Sequence, residues 1–313
     1  MFAVRGLAVS FSVFVMVYGI LSIAVALTWR RVDAWSQHLP VQRISSLLFA
    51  LRMFPLVTAA VITAAFTIPS FLLLEPRAIN EPMETPLALG ICGAILGLGG
   101  LANAVFAMIR ASRTVSSWTS AAEATQIPSP VPVLRIRRNS PAMTAAGIVR
   151  PRILLSTSAE FVLNGNELGA ALNHELAHVW RRDNLKKLLL RFVPFPGMAG
   201  LESAWLSATE MSADDAAVSS EGEALDLAAA LIKVSRLAAE PPVDLTAALV
   251  QSPAGMMNAR VERLISWNED RRAASHLSVA YAAGAALATV VIFAFTYGQL
   301  LLKVHTATEW LMR

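Results

Sequence analysis

Four long uncharged apolar runs constrain this chain more than any other feature: residues 6–27, 54–74, 87–109 and 277–302. They hold 21 to 26 residues each, and about 20 residues as a helix cross about 30 Å of hydrocarbon. Lipid offers no partner for exposed backbone groups, so the expected form of each run is a helix that satisfies its own hydrogen bonds. Composition agrees: 15% of residues are charged and 55% hydrophobic, against about 25% charged in an ordinary soluble domain. Pro69, near the end of the second run, is tolerable as a kink. The first run ends in Ala24-Val25-Ala26, which resembles a signal-peptide cleavage site. Its 22 residues exceed the usual 7–15 of a signal core, and Arg30-Arg31 follow it directly. The expectation is a retained span.

Basic residues set the expected orientation in the plasma (inner) membrane. The first loop carries Arg30, Arg31, Arg43 and Arg52. The second, 75–86, carries Arg77 among Glu75, Glu81 and Glu84. Arg110 and Arg113 follow the third run, and Arg260, Arg263, Arg271 and Arg272 precede the fourth. Both termini are then outside, with the first loop and the central segment 110–276 in the cytoplasm. The expected layout is a membrane region over 1–109, a cytoplasmic domain over 110–276, a fourth span over 277–302 and a short outer tail over 303–313. The third run contains Gly93-x-x-x-Gly97, which lets a helix approach closely. That helix belongs either to the same subunit or to a homodimer partner. A single cysteine, Cys92, permits no intrachain disulfide and is expected to pack among apolar neighbours. The net charge of +4 is too small to suggest direct nucleic-acid binding.

The central segment reads as an α+β domain. A helix is expected to run on from the third span through SSWTSAAEATQ. "VPVLRIRR" alternates like a strand and "RILL" (152–155) is a second short strand. Helices follow over ELGAALNHELAHVW, capped by Asn164 or Asn166, over LESAWLSATEMSADDAAV, over EALDLAAALIKVSRLAAE and over NARVERLISW. "RILL" either pairs with an extended substrate or packs within a small sheet.

The chemistry lies in residues 172–184, LNHELAHVWRRDN. His174 and His178, four apart, fall on one helix face one turn apart, where one ion can be held. Glu175 completes H-E-x-x-H, in which the two histidines bind zinc and the glutamate is the base. A catalytic zinc needs a third ligand and an open position. His38, His276 and His305 are placed elsewhere by the expected topology, so a carboxylate on the next helix is expected. Glu210 is the candidate, and Glu202 the alternative. Asp214, one turn beyond Glu210 on the same face, is positioned to accept a ligand histidine's free N–H. Arg181 and Arg182 read as a solvated basic face.

GIVRPRILLS, ELGAALNHELAHVWRRDNL, ATEMSADDAAV and NARVERLIS together resemble the BlaR/MecR-type membrane metallopeptidases, the antirepressor signal transducers of antibiotic-resistance systems and their relatives. The resemblance covers residues from about 130 to 270. It implies a gluzincin-like zinc domain between spans three and four, with His174, His178 and Glu210 as ligands and Glu175 as catalytic residue. It also implies a cytoplasmic protein target, often a winged-helix repressor. The penicillin-binding sensor that follows the last span in the β-lactam transducers has no counterpart in the residues after Leu302. Two other functions fit the same motif: a membrane quality-control zinc protease of the heat-shock type, and a non-enzymatic transducer with a structural zinc site.

Overall fold

The computed structural model describes residues 2–74, 84–137, 142–192, 195–237, 247–248, 254–268 and 298–307. Most of the fourth apolar run, His276, residues 75–83 of the acidic loop and the end of the tail lie outside the described residues. The chain divides into two units, one comprising 1–32, 50–101 and 275–313, the other 33–49 and 102–274.

Among the described residues, three helical stretches are long and apolar enough to cross a membrane: Phe2–Ser36, Val41–Leu74 and Leu87–Thr119. They comprise α1 (Phe2–Ser36), α2 (Val41–Ile62), a π-helical turn at Thr63–Thr67, α3 (Ile68–Leu74) and α4 (Glu84–Thr119). The helix of α1 outruns its apolar stretch because nothing in TWRRVDAWS breaks a helix. Apolarity marks what lipid accepts, while a helix ends where a breaker such as Pro40 approaches. The π turn directly precedes Pro69, whose ring would clash with a carbonyl four residues back. The wider turn relieves that clash, and Thr67 Oγ1 returns a hydrogen bond to the Ile62 carbonyl at 3.4 Å.

Within the first unit α4 meets α1 at glycines. A Cβ on Gly90 would stand 3.0 Å from Ala8 Cα, and one on Gly93 would stand 3.0 Å from the Phe11 carbonyl oxygen. Gly97 has nothing within 4 Å. The close approach therefore uses Gly90 and Gly93 inside one chain, not Gly93 with Gly97. Cys92 sits on the exposed side of α4, contrary to the expected packing role. Buried Ser10 and Ser12 bond back to the Gly6 and Ala8 carbonyls, each at 2.7 Å, so their hydroxyls need no other partner.

The second unit is built on a small mixed sheet in the order β1-β2-β4-β3-β5, with β1 Glu123–Ala124, β2 Val133–Ile136, β3 Met143–Ala146, β4 Arg152–Ser156 and β5 Ala247–Ala248. β4 is central, parallel to β2 and antiparallel to β3. Its alternation splits two cores. Ile153 and Leu155 face the main cluster with Ala171, Leu227 and Leu231, while Leu154 packs with Trp118 and Ile136 on the other side. Because both edges of β4 are already paired, "RILL" cannot take an added substrate strand and serves sheet packing. The expected helix after the third span stops at Thr119, and Glu123–Ala124 is strand.

The described helices of the second unit after the sheet strands are α5 (Thr157–Val162), α6 (Gly165–Trp180), α7 (Asp183–Phe192), α8 (Ala199–Ala217), α9 (Glu221–Ser235) and α10 (Ala254–Ile265). Asn164, not Asn166, caps α6 in a full capping box: its Oδ1 accepts from Glu167 N, and Glu167 Oε2 accepts from Asn164 N, both at 2.9 Å. Lys233 of α9 closes on the same Glu167 at 2.8 Å, which fixes the start of α6 against the core.

Candidate metal centre

The capped helix α6 carries His174 and His178 on its buried face, 0% and 2% exposed. Their Nε2 atoms are 3.1 Å apart. α8 returns past α6 and places the Glu210 carboxylate 3.6 Å from each of those nitrogens. One ligand atom from each of His174, His178 and Glu210 can be chosen so that all lie within 4.8 Å of one another. Two donors about 2.0–2.1 Å from an ion at the tetrahedral angle stand about 3.4 Å apart. The separations of 3.1 and 3.6 Å bracket that value. Glu210 Oε2 is moreover buried without a hydrogen bond. The three residues fit a divalent cation. Glu202, the alternative ligand, lies two turns earlier on α8 and outside this group.

Each histidine is held from behind by a carboxylate. His178 Nδ1 lies 2.9 Å from Asp183 Oδ2. His174 Nδ1 lies 2.9 Å from Asp214 Oδ1, though not aligned as a hydrogen bond. Such partners favour the tautomer that leaves Nε2 free for a cation. Arg260 of α10, 0% exposed, grips Asp214 with two hydrogen bonds of 2.7 and 2.6 Å and stands 3.2 Å from Glu210 Oε2. Three helices are thereby tied by one buried charge network.

The electrostatics follow from burial and these pairings. Burial opposes ionisation of Glu210, but His178, His174 and Arg260 outweigh it and hold the carboxyl at about 2. Asp183 is held at about 2 as well, against burial, chiefly by its hydrogen bond to His178. Asp214 lies lower still than an ordinary carboxyl, through Arg260 and His174. Burial opposes charging of His174, yet Asp214 and Glu210 lift it to about 9. Burial keeps His178 below the ordinary histidine value despite Glu210 and Asp183. These pairings favour the charged form of the carboxylates, and a cation would compete with a proton for His174.

Glu175 is fully buried. Its Oε2 accepts from the Ala145 backbone N–H at 2.6 Å, while Oε1 has no hydrogen-bond partner. Burial, reinforced by Glu210 and partly offset by His174, pushes its carboxyl up to about 7. A group poised near neutrality suits proton transfer.

The Arg-Arg-Asp-Asn sequence after His178 acquires four separate roles. Arg181 caps α6, donates to Ser45 Oγ at 2.9 Å and lies 3.7 Å from Asp183. Arg182, at φ 54°, turns the chain through the left-handed region and starts α7 afresh. Asp183 orients His178. Asn184 donates to the Ala145 carbonyl at 3.0 Å, pinning the residue that holds Glu175. The solvated-face reading therefore suits exposed Arg182 and not Arg181. Sequence reasoning missed the roles of Asp183, Asn184, Arg260 and the Ala145 backbone. The one usable signal was the placement of Asp183 just beyond the second histidine.

Comparison of the sequence with protein-family models and with curated proteins found no match.

Proposed function

We propose that this chain is an integral membrane zinc endopeptidase acting in regulatory proteolysis or signal transduction. Its target would be a cytoplasmic protein, a winged-helix transcriptional repressor being the best fit to the family resemblance, or the chain itself. The observation that carries the reading is the buried His174–His178–Glu210 group with Glu175 beside it. A purely structural site would gain nothing from that adjacent carboxyl group. His174, His178 and Glu210 would hold the zinc, which would supply Lewis-acid chemistry when bound. Glu175 Oε1, the oxygen not held by Ala145, takes a proton from the attacking water and later delivers it to the leaving amine. Asp183 and Asp214 keep the two imidazoles turned inward while this happens.

A substrate strand that pairs with β3 beside Glu175 would have to displace Ala247–Ala248 from its outer edge. The domain faces the cytoplasm by the arginine bias of the loops.

The test uses the full chain in detergent. Metal content and turnover of a casein-type substrate are measured for the native protein, Glu175→Gln and Glu210→Ala. The expectation is stoichiometric zinc that survives Glu175→Gln and weakens in Glu210→Ala, with turnover cut about 100-fold by Glu175→Gln. Zinc bound without turnover above that of Glu175→Gln would sink the peptidase reading.

A further inference from the structure

The unit that holds the metal site also contains residues 33–49, and the first turns of α2 make polar contacts there that the proposed chemistry does not use. Ser45, 1% exposed, stands at their centre. Its Oγ lies 3.0 Å from Thr209 Oγ1, itself 1% exposed, and accepts from Arg181 Nη2 at 2.9 Å. Arg181 is the donor in its bond to Ser45, because a guanidinium has no lone pair to accept with, while either hydroxyl can donate in the Ser45–Thr209 pair. Thr209 immediately precedes the ligand Glu210. Arg181 Nε lies 3.7 Å from Asp183, the carboxylate behind His178. A second contact runs in parallel one turn on. The Phe49 ring is 5.8 Å from that of Trp205 on α8, and Lys186 Nζ, hydrogen-bonded to Asp183 at 3.0 Å, lies 5.9 Å from the Phe49 centroid.

A buried hydroxyl pair costs stability unless every partner is in place, and it tolerates little sliding. An apolar contact would have held α2 more simply. The polar chain fixes α8 and the α6–α7 turn against one another at the two points behind the metal ligands.

We infer that Ser45, at the start of α2, is a positioning residue for the metal centre: through Thr209 and Arg181 it sets the spacing of Glu210 against His178. α2 is a single helix from Val41 to Ile62. The inference rests on the reading of His174, His178 and Glu210 as a cation site, and not on the peptidase activity.

The test compares the full-length protein with Ser45→Ala, Ser45→Thr, Thr209→Val and the Ser45→Ala/Thr209→Val double variant. Zinc affinity is measured by competition with a chromophoric chelator. The visible spectrum of the cobalt-loaded protein reports ligand geometry. The expectation is about tenfold weaker zinc binding in Ser45→Ala and Thr209→Val, with a shifted cobalt spectrum. Ser45→Thr, which keeps the hydroxyl, should restore both, and the double variant should be no worse than either single change. Native affinity and spectrum in Ser45→Ala and Thr209→Val would overturn the relay while leaving the metal site standing. Absence of stoichiometric metal from the native protein would overturn the site itself, and the relay with it.

Discussion

At the scale of single residues, the site joins groups with different visibility in the sequence. His174, Glu175 and His178 are legible because a fixed spacing of four places both rings on one helix face. Glu210 and Asp214 are legible at one remove, since the same spacing recurs on the helix that must return. Asp183 is not, because the left-handed turn at Arg182 puts it on a new helix and removes it from any periodic pattern. Arg260 lies 46 residues from its partner Asp214, and a backbone N–H such as that of Ala145 has no sequence signature at all. Removing the carboxylate behind His178 tests one of these invisible contributions: Asp183→Ala is expected to weaken zinc binding 10- to 100-fold, measured by chelator competition. The protonation of Glu175 gives a second test. A carboxyl raised to about 7 must lose its proton to act as base, so kcat/KM should rise with pH and level off. The midpoint should be no higher than about 7, because a cation beside the carboxyl favours its charged form. A pH–rate profile that falls across this range would contradict the role given to Glu175.

At the scale of elements, the long apolar helices and the capped helix α6 were readable because strong local signals and tertiary packing agree there. The short strands were only partly so. β2 and β4 alternate visibly, whereas Met-Thr-Ala-Ala of β3 has weak strand preference and is extended because β4 pairs along it. Helix ends in the membrane unit were misplaced because hydropathy marks the lipid boundary and not the hydrogen-bond ladder. The contact between α1 and α4 yields a contrast within one motif. Gly93→Ala forces a methyl group to 3.0 Å from the Phe11 carbonyl, and overpacking of this kind costs about 1–3 kcal/mol. Gly97→Ala meets nothing. Thermal denaturation in detergent should therefore show a lower midpoint for the first variant and an unchanged one for the second.

At the scale of the whole molecule, the buried carboxylates of Glu210 and Asp214 share one buried arginine, Arg260, while Asp183 pairs with Lys186 and Arg181, and a cation bound at His174, His178 and Glu210 would add to this network. Stripping it with a chelator is expected to lower thermal stability and to leave residual helicity intact. A ligand held at 1,000 times its Kd contributes about 4 kcal/mol, which in a domain of this size corresponds to a drop of about ten degrees in Tm; differential scanning calorimetry with and without chelator measures it. The topology carries one more consequence. In the order β1-β2-β4-β3-β5, the two residues Ala247–Ala248 pair with the outer rim of β3 among the described residues. A bare strand rim pairs readily with that of another molecule, so loss of this short cover would turn β3 into a surface for association between copies of the chain.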